Sequence, residues 1–338
     1  MNWETLRTFG YEGAAEPAPS DNERLFPARV VEQQKDGYRI ISPAGLLPAR
    51  VSGKFSFTAQ RTTDFPAVGD WVLVDIANDS AIIRRVMPRR GALERKSAGL
   101  TSASQIIAAN LDGIFLCMSV NENFNLRRLE RYLAVAWSSG AVPCVILTKS
   151  DLTDDCARVL EQTQNVAIGT EVITATDADP HGFDEVRKRM SPGKTYAFIG
   201  SSGVGKSTIV NHLLGETVLA VSEVDGAGKG RHTTTARQMF VTPEGAIVID
   251  TPGIRELQLD SADFSAAFSD VEALAASCRF SDCSHHHEPG CAVIAAAESG
   301  LLPEERLRNY RKMQREIAYQ EQRSQDAARR ESRGRKRF

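Results

Sequence analysis

Residues 197–208 read Ala-Phe-Ile-Gly-Ser-Ser-Gly-Val-Gly-Lys-Ser-Thr. Tyr196 to Ile199 form the apolar end of a buried strand and Ile209 to Leu214 continue with helical character, so the glycines fall at a strand-to-helix turn. Gly200, Gly203 and Gly205 let the backbone turn its N–H groups around a polyphosphate, with the positive end of the following helix behind them. Ser201, Ser202, Val204 and Thr208 complete the cradle; Lys206 reaches the β and γ phosphates and Ser207 offers its hydroxyl to Mg²⁺. The plain alternative is a glycine-rich turn with an incidental lysine. Flanking strand and helix weigh against it.

Working outward, strands and helices alternate. The stretch 105–120 ends in a continuous apolar run typical of a buried parallel strand, and Leu126 to Ser139 follows as an amphipathic helix with Leu126, Leu129, Leu133 and Ala136 or Trp137 on one stripe. Strand Val142 to Leu147 delivers Thr148-Lys149-Ser150-Asp151 at its C-terminal end, where ligands bind in doubly wound α/β sheets. The tetrapeptide is a variant of a guanine-reading motif. Asp151 can accept both N1–H and the exocyclic amine of guanine, a donor pair adenine lacks, while Lys149 lies over the ring and Thr148 braces the phosphate loop. A further strand, 171–173, ends at Thr174-Ala175, a position suited to meeting the guanine O6 through a backbone N–H.

Residues 222–237 are polar and glycine-rich, unable to build a core and expected to order only with ligand. Thr234 or Thr235 can supply a second hydroxyl to Mg²⁺, Thr235 being the choice for the ion. Strand 246–249 then presents Asp250-Thr251-Pro252-Gly253: Asp250 would hold Mg²⁺ through water and the Gly253 N–H would sense the γ phosphate.

The order of these parts is informative. In ordinary GTPases the phosphate loop precedes the guanine motif, whereas here 148–151 precedes 200–208. Moving the termini leaves the same sheet, because chain ends at a domain surface tolerate relocation. The reading is a circularly permuted GTPase domain over 101–260. Its last strand carries Asp250, so the switch after it runs directly into the C-terminal region and could move it as a lever.

That region holds Cys278, Cys283, His285 and Cys291, spaced for a closed tetrahedral zinc site in a segment with little apolar content. His286 and His287 are rival ligands, and Pro289-Gly290 supplies the turn that returns Cys291. Cys117, Cys144 and Cys156 lie in or beside apolar stretches and read as small core residues. The expected α-helical zinc domain covers 261–325, with a helix from Pro303 to Arg323, and a basic tail covers 326–338.

Before the GTPase domain, residues 1–24 contain Glu-Pro-Ala-Pro-Ser and read as a weakly ordered, flexible leader. Five short alternating runs between 29 and 83, separated by Gly, Pro, Asp and Asn turns, predict an OB-like β-barrel over 25–100. Arg50, Lys54, Arg61, Arg84, Arg85, Arg89, Arg90, Arg95 and Lys96 could track RNA phosphates, and Phe55 and Phe57 are either base-stacking or strand-core aromatics.

Composition sets outer bounds. With 42% hydrophobic and 25% charged residues, no long apolar run and no signal-like N-terminus, a cytoplasmic globular protein without a membrane partner is expected. The net charge of -2 hides an asymmetry: residues 304–338 carry 12 Lys and Arg against 6 Asp and Glu, so an acidic body ends in a basic segment suited to an anionic partner. A solvated helix with a frayed tail is the alternative.

Together, Gly-Asp-Trp-Val at 69–72, Thr-Lys-Ser-Asp at 148–151, the glycine loop at 200–208, Gly-Arg-His-Thr-Thr-Thr at 230–235, Asp-Thr-Pro-Gly at 250–253 and the cysteine-histidine pattern at 278–285 closely resemble the bacterial small-subunit-dependent GTPases of the RsgA family, from residue 25 to about 320. The resemblance implies a monomeric GTP hydrolase using GTP, Mg²⁺ and one Zn²⁺. It would act late in maturation of the small (30S) ribosomal subunit, bind 16S rRNA through barrel and zinc region beside other assembly factors, and be stimulated by the subunit. His232 is the family-like candidate for positioning the attacking water, beside Lys206 as the second catalytic residue; a role for His232 in binding rRNA stays open. Thr148 departs from the family's usual asparagine, which loosens the expected brace. Ile254 stands where many GTPases carry a water-orienting glutamine, so unaided hydrolysis should be slow. The competing reading is a GTP-gated RNA-binding translation factor in which hydrolysis is secondary. A metabolic kinase is disfavoured, because no second-substrate pocket is visible beyond the polar segment.

Overall fold

The seven residues Gly113–Ser119 are buried at every position, and so are Thr195–Ile199. Strands covered on both faces must sit inside a sheet flanked by helices. The computed structural model describes residues 2–13, 25–34, 37–96, 104–121, 124–153, 155–219, 237–250 and 268–304, then 306–308, 310–315, 318 and 322.

The barrel comes first. Strands β1 (Phe26–Gln34), β2 (Gly37–Ser42), β3 (Gly45–Val51), β4 (Trp71–Ala77) and β5 (Ser80–Val86) lie in the order β1-β2-β3-β5-β4, and β4 pairs back onto β1 to close the ring. All pairings are antiparallel except β3 with β5. Alternate residues point inward, so Val30, Ile40, Val72, Val74 and Ile83 fill the interior with none of their surface exposed. The five expected strands are all present. Phe55 and Phe57, however, lie on helix α2 (Gly53–Thr58) rather than a strand: Ser52 caps it by accepting from the Phe55 N–H. Phe57 is 91% exposed, whereas Phe55 meets the Phe65 ring edge-on.

The expectation of a weakly ordered leader is corrected for its first residues. Helix α1 (Trp3–Thr8) is capped by Asn2 and buries Leu6 completely. Residues 14–24 lie outside the described part. Arg29 explains the docking: wholly buried, it donates to the Gly69 and Phe9 carbonyls and to Thr195 Oγ1, with Trp71 against its guanidinium. One side chain thereby ties barrel, N-terminus and central sheet.

Strands β6 (Ala92–Lys96) and β7 (Ser104–Ala109) pair antiparallel across the expected boundary at 100/101. Gly69 takes φ +94°, and a Cβ there would stand 2.2 Å from the Ala109 carbonyl, so only glycine lets barrel and hairpin approach.

The central sheet runs β10 (Glu171–Ala175), β9 (Val142–Thr148), β8 (Gly113–Ser119), β11 (Thr195–Ile199), β13 (Ile247–Asp250), β12 (Arg237–Val241). The first five are parallel and β12 is antiparallel; β12 also pairs with β1, joining the sheet to the barrel. Period-two alternation splits β8: Leu116 and Met118 face one core with Leu129 and Leu133 of α3 (Leu126–Ser138), and Phe115 and Cys117 face the other with Ile209 and Leu213 of α6 (Lys206–Leu214). Cys117 and Cys144 are the core thiols expected, both pushed up to about 12 by burial. Cys156 opens α4 (Cys156–Gln164) and is half-buried. Short helix α5 (Asp184–Lys188) returns the chain to β11.

Beyond the sheet, α7 (Ser269–Ala275), α8 (Ala292–Glu298) and a helix α9, described at 304, 306–308 and 310–315, pack on the α3 side through Phe268, Val271, Val293, Leu307 and Tyr310. A buried ion cluster pins them there. Arg306, 3% exposed, reaches Glu130 of α3 at 2.9 Å and Asp270 of α7 at 2.8 Å and lies over the Phe268 ring at 4.3 Å. Among the described residues no helix is long and apolar enough to cross a membrane.

Candidate functional site

Strands β8, β9, β10 and β11 all end at one edge of the sheet, so topology alone gathers residues 148–151, 174–176 and 200–206. Gly200 leaves β11 where a Cβ would stand 2.4 Å from the Cys117 carbonyl; Gly203 and Gly205 take φ of +76° and +96°, and α6 starts at Lys206. The loop thus needs glycine for close approach at its entry and for left-handed backbone at its exit. Lys206 folds over it, donating from Nζ to the carbonyls of Gly200 at 2.8 Å and Ser201 at 2.7 Å. Ser202 is exposed, while Ser207 and Thr208 are half-buried in the first turn of α6.

Thr148, 3% exposed at the end of β9, donates from Oγ1 to the Val204 carbonyl at 2.6 Å. The brace expected to be loosened by losing asparagine is made directly by the threonine hydroxyl, from the end of β9 to the loop that follows β11, with β8 between the two strands. Next to it, Lys149 holds a left-handed backbone, φ 57° and ψ 39°, which turns the chain sharply out of the strand. Ser150 Oγ donates to the Ala175 carbonyl at 3.3 Å.

The base-side residues differ in one respect from expectation. Thr174 and Ala175 are the final two residues of β10, Ala175 being 2% exposed, and Ala175 pairs with Thr148. The loop beyond begins at Thr176, whose Oγ1 donates to Asp151 Oδ1 at 2.5 Å. Thr176 carries no motif of its own; only the strand register reveals that the chain leaves the sheet after Ala175. Asp250 ends β13 opposite Gln238. His232, Thr234, Thr235 and Gly253, with the 222–236 segment and the switch after Asp250, lie outside the described residues.

Zinc-type ligands do come together. One ligand atom from each of Cys278, Cys283, His285 and Cys291 lies within 4.8 Å of all the others. His285 Nδ1 is 3.6 Å from Cys278 Sγ and 3.4 Å from Cys291 Sγ. A left-handed backbone at His285, φ 58°, aims the ring inward, and Arg311 clamps its carbonyl. His286 and His287 stay exposed, their N–H groups donating to Glu288. Burial lowers the His285 pKa from its ordinary value, which favours the neutral imidazole that can ligate. Burial also pushes the Cys283 thiol up to about 11, whereas hydrogen bonds from Val293 and Ala292 outweigh burial at Cys278 and hold it low. Three thiols this close cannot all ionise without a cation among them, and three sulfurs with one neutral imidazole make a donor set that fits zinc.

On the barrel, Arg89 is committed to structure: it donates to both Asp70 oxygens at 2.7 Å and to the Thr63 and Phe65 carbonyls. Arg84 pairs with Asp75 and Arg90 with Asp112. Arg50, Lys54, Arg61 and Arg85 remain exposed, Arg95 is half-buried, and the Lys96 side chain is outside the described set.

A family model described as RsgA GTPase matches residues 86–260. The small ribosomal subunit biogenesis GTPase RsgA 2 of Lactiplantibacillus plantarum is 48% identical over 294 residues, spanning 86% of this chain and 83% of that protein. The chain belongs to the RsgA GTPase family. It is a circularly permuted GTP hydrolase. The RsgA protein of Methanosarcina acetivorans is 42% identical over 322 residues, covering 94% of this chain and 86% of its own. Among solved structures, YjeQ from Thermotoga maritima shares the fold at a TM-score of 0.67 and 24% identity, over 87% of this chain and 99% of that one. YloQ, described as a circularly permuted GTPase, does so at 0.64 and 22%, over 90% and 99%.

Proposed function

We propose that this RsgA-family GTPase drives a late step in small (30S) ribosomal subunit maturation in the cytoplasm. In this reading the subunit stimulates hydrolysis, and 16S rRNA is gripped by the barrel (25–100) and the zinc region (261–325). The permuted domain (101–260) reads the nucleotide, and the basic end (326–338) adds phosphate contacts. The observation that carries the reading is the contact of Thr148 with Val204, which brings a guanine-reading strand end and a triphosphate cradle to one sheet edge. The printed names of the relatives supply the subunit.

Asp151 selects guanine, Lys149 covers the base, Ser150 and Thr174-Ala175 support the base loop, and the 200–208 loop holds the phosphates with Lys206 at the β and γ positions. Water oxygen bonds to the γ phosphorus as the bridging bond to the β phosphate breaks; the electron pair stays on the β-phosphate oxygen and the water proton ends on the released phosphate. His232 orients that water. Ser207, Thr235 and Asp250 would hold Mg²⁺, which when bound neutralises phosphate charge; Thr234 is the alternative to Thr235 for that hydroxyl, and Gly253 would sense the γ phosphate. Cys278, Cys283, His285 and Cys291 would hold Zn²⁺ as a structural cross-link.

The test is GTP turnover titrated against purified small subunits. Turnover that rises and saturates is expected. A flat response, with subunit affinity still different between GTP analogue and GDP, would favour a nucleotide-gated RNA-binding factor instead.

A further inference from the structure

Two cations converge on one residue of the phosphate cradle. Lys206 Nζ sits 2.7 Å from the Ser201 carbonyl, and Arg128 Nη1 donates to the Ser201 hydroxyl at 3.0 Å. Arg128 comes from α3, whose placement is fixed independently: Asn125 accepts from the Arg128 N–H to cap the helix, and Leu129 and Leu133 are buried against the sheet. The guanidinium therefore stands at the cradle because the helix is packed there. Its partner on Ser201 is a neutral hydroxyl, so that contact leaves the positive charge uncancelled. Ser201 lies in the first half of the loop, beside the group that reaches the β and γ phosphates; Thr148 holds Val204 in the second half.

We infer that Arg128 is a phosphate-contacting arginine built into the chain, which leaves Ser201 for the γ-phosphate oxygens when GTP occupies the cradle. The inference rests on reading 200–208 as the triphosphate site. Arg128 gives up no proton. Its planar donors and fixed charge offset the negative charge on the transferred group, the part that an arginine supplied in cis plays in other GTPases. GDP lacks those oxygens, so the contact distinguishes the two nucleotide states. The same helix carries Glu130, which meets Arg306 of the C-terminal region, so a change felt at Arg128 lies two residues from the buried cluster.

The experiment uses the full chain with Arg128→Gln and Arg128→Lys, measuring affinity for GDP and for the β,γ-imido analogue of GTP, and single-turnover hydrolysis. Glutamine can still donate to Ser201 but carries no charge. Losing one charge-assisted contact to the γ phosphate should lower the analogue-to-GDP affinity ratio about tenfold in Arg128→Gln. Single-turnover hydrolysis should fall by about a hundredfold. Arg128→Lys should recover part of both. If Arg128→Gln keeps the wild-type ratio and rate within about twofold, or loses both nucleotides equally, Arg128 is a clamp on the loop and the inference is overturned. If the wild-type chain binds neither guanine nucleotide, it is the cradle itself that has been misread.

Discussion

Thr148 Oγ1 donates to the carbonyl of Val204 at 2.6 Å, across 56 residues of chain. The bond joins the end of β9, where the proposed guanine-reading residues begin, to the loop proposed to wrap the phosphates. It gives the permuted order its physical meaning: sequence separation is large, but the two strand ends belong to one edge.

Thr148→Val keeps the shape and removes the donor. The buried Val204 carbonyl is then unpaired, at a cost of about 1–3 kcal/mol. Affinity for GDP and for a GTP analogue should fall together, by roughly tenfold, in a fluorescence titration. A change confined to one nucleotide would place Thr148 elsewhere in the mechanism.

Much of the site was legible because its chemistry is local. The glycine loop needs three glycines and a lysine at fixed spacing, and all fall at one strand-to-helix turn. The four zinc-type ligands sit within 14 residues and assemble as their spacing requires. What could not be read depends on tertiary register. Thr176 and Arg128 show no motif of their own; one is exposed by where β10 stops, the other by the packing of α3. Phe55 and Phe57 read as strand aromatics because short apolar alternation does not separate a two-turn helix from a strand, and Ser52 decides it by capping. The leader misled for a similar reason: six residues carry too weak a pattern to announce α1, which is held by Leu6 and by Arg29 from the barrel.

Thr176→Ala removes the hydroxyl that orients Asp151. Affinity for GDP should drop by about three- to tenfold, and Thr176→Ser should restore it. Equal affinities in all three proteins would show that Asp151 holds its place unaided.

The Cys3His cluster should carry one zinc per chain. Cys283→Ser or prolonged treatment with a strong chelator should release it and lower the thermal midpoint, since structural zinc contributes folding free energy directly. His286→Ala and His287→Ala should keep full zinc content by elemental analysis, because both side chains stay outside the cluster. Loss of metal in either histidine variant would redraw the ligand set.

Arg306→Ala leaves Glu130, 1% exposed, without its guanidinium. Breaking a buried pair in this way costs about 3–5 kcal/mol, so denaturant unfolding should shift to markedly lower midpoint. Glu130→Gln, which keeps an acceptor for Arg306, should cost less.

Which base the chain reads decides whether 148–151 and 200–208 form one nucleotide site. Nucleotide affinities of the wild type and Asp151→Asn should be measured for guanosine, adenosine and xanthosine diphosphates by calorimetry. The wild type should take GDP and reject ADP, and Asp151→Asn should move preference to xanthosine diphosphate, because an amide presents a donor where the carboxylate accepted. Equal binding of ADP and GDP by the wild type, or an unchanged preference in Asp151→Asn, would contradict a base-reading loop at 148–151 meeting the cradle at 200–208.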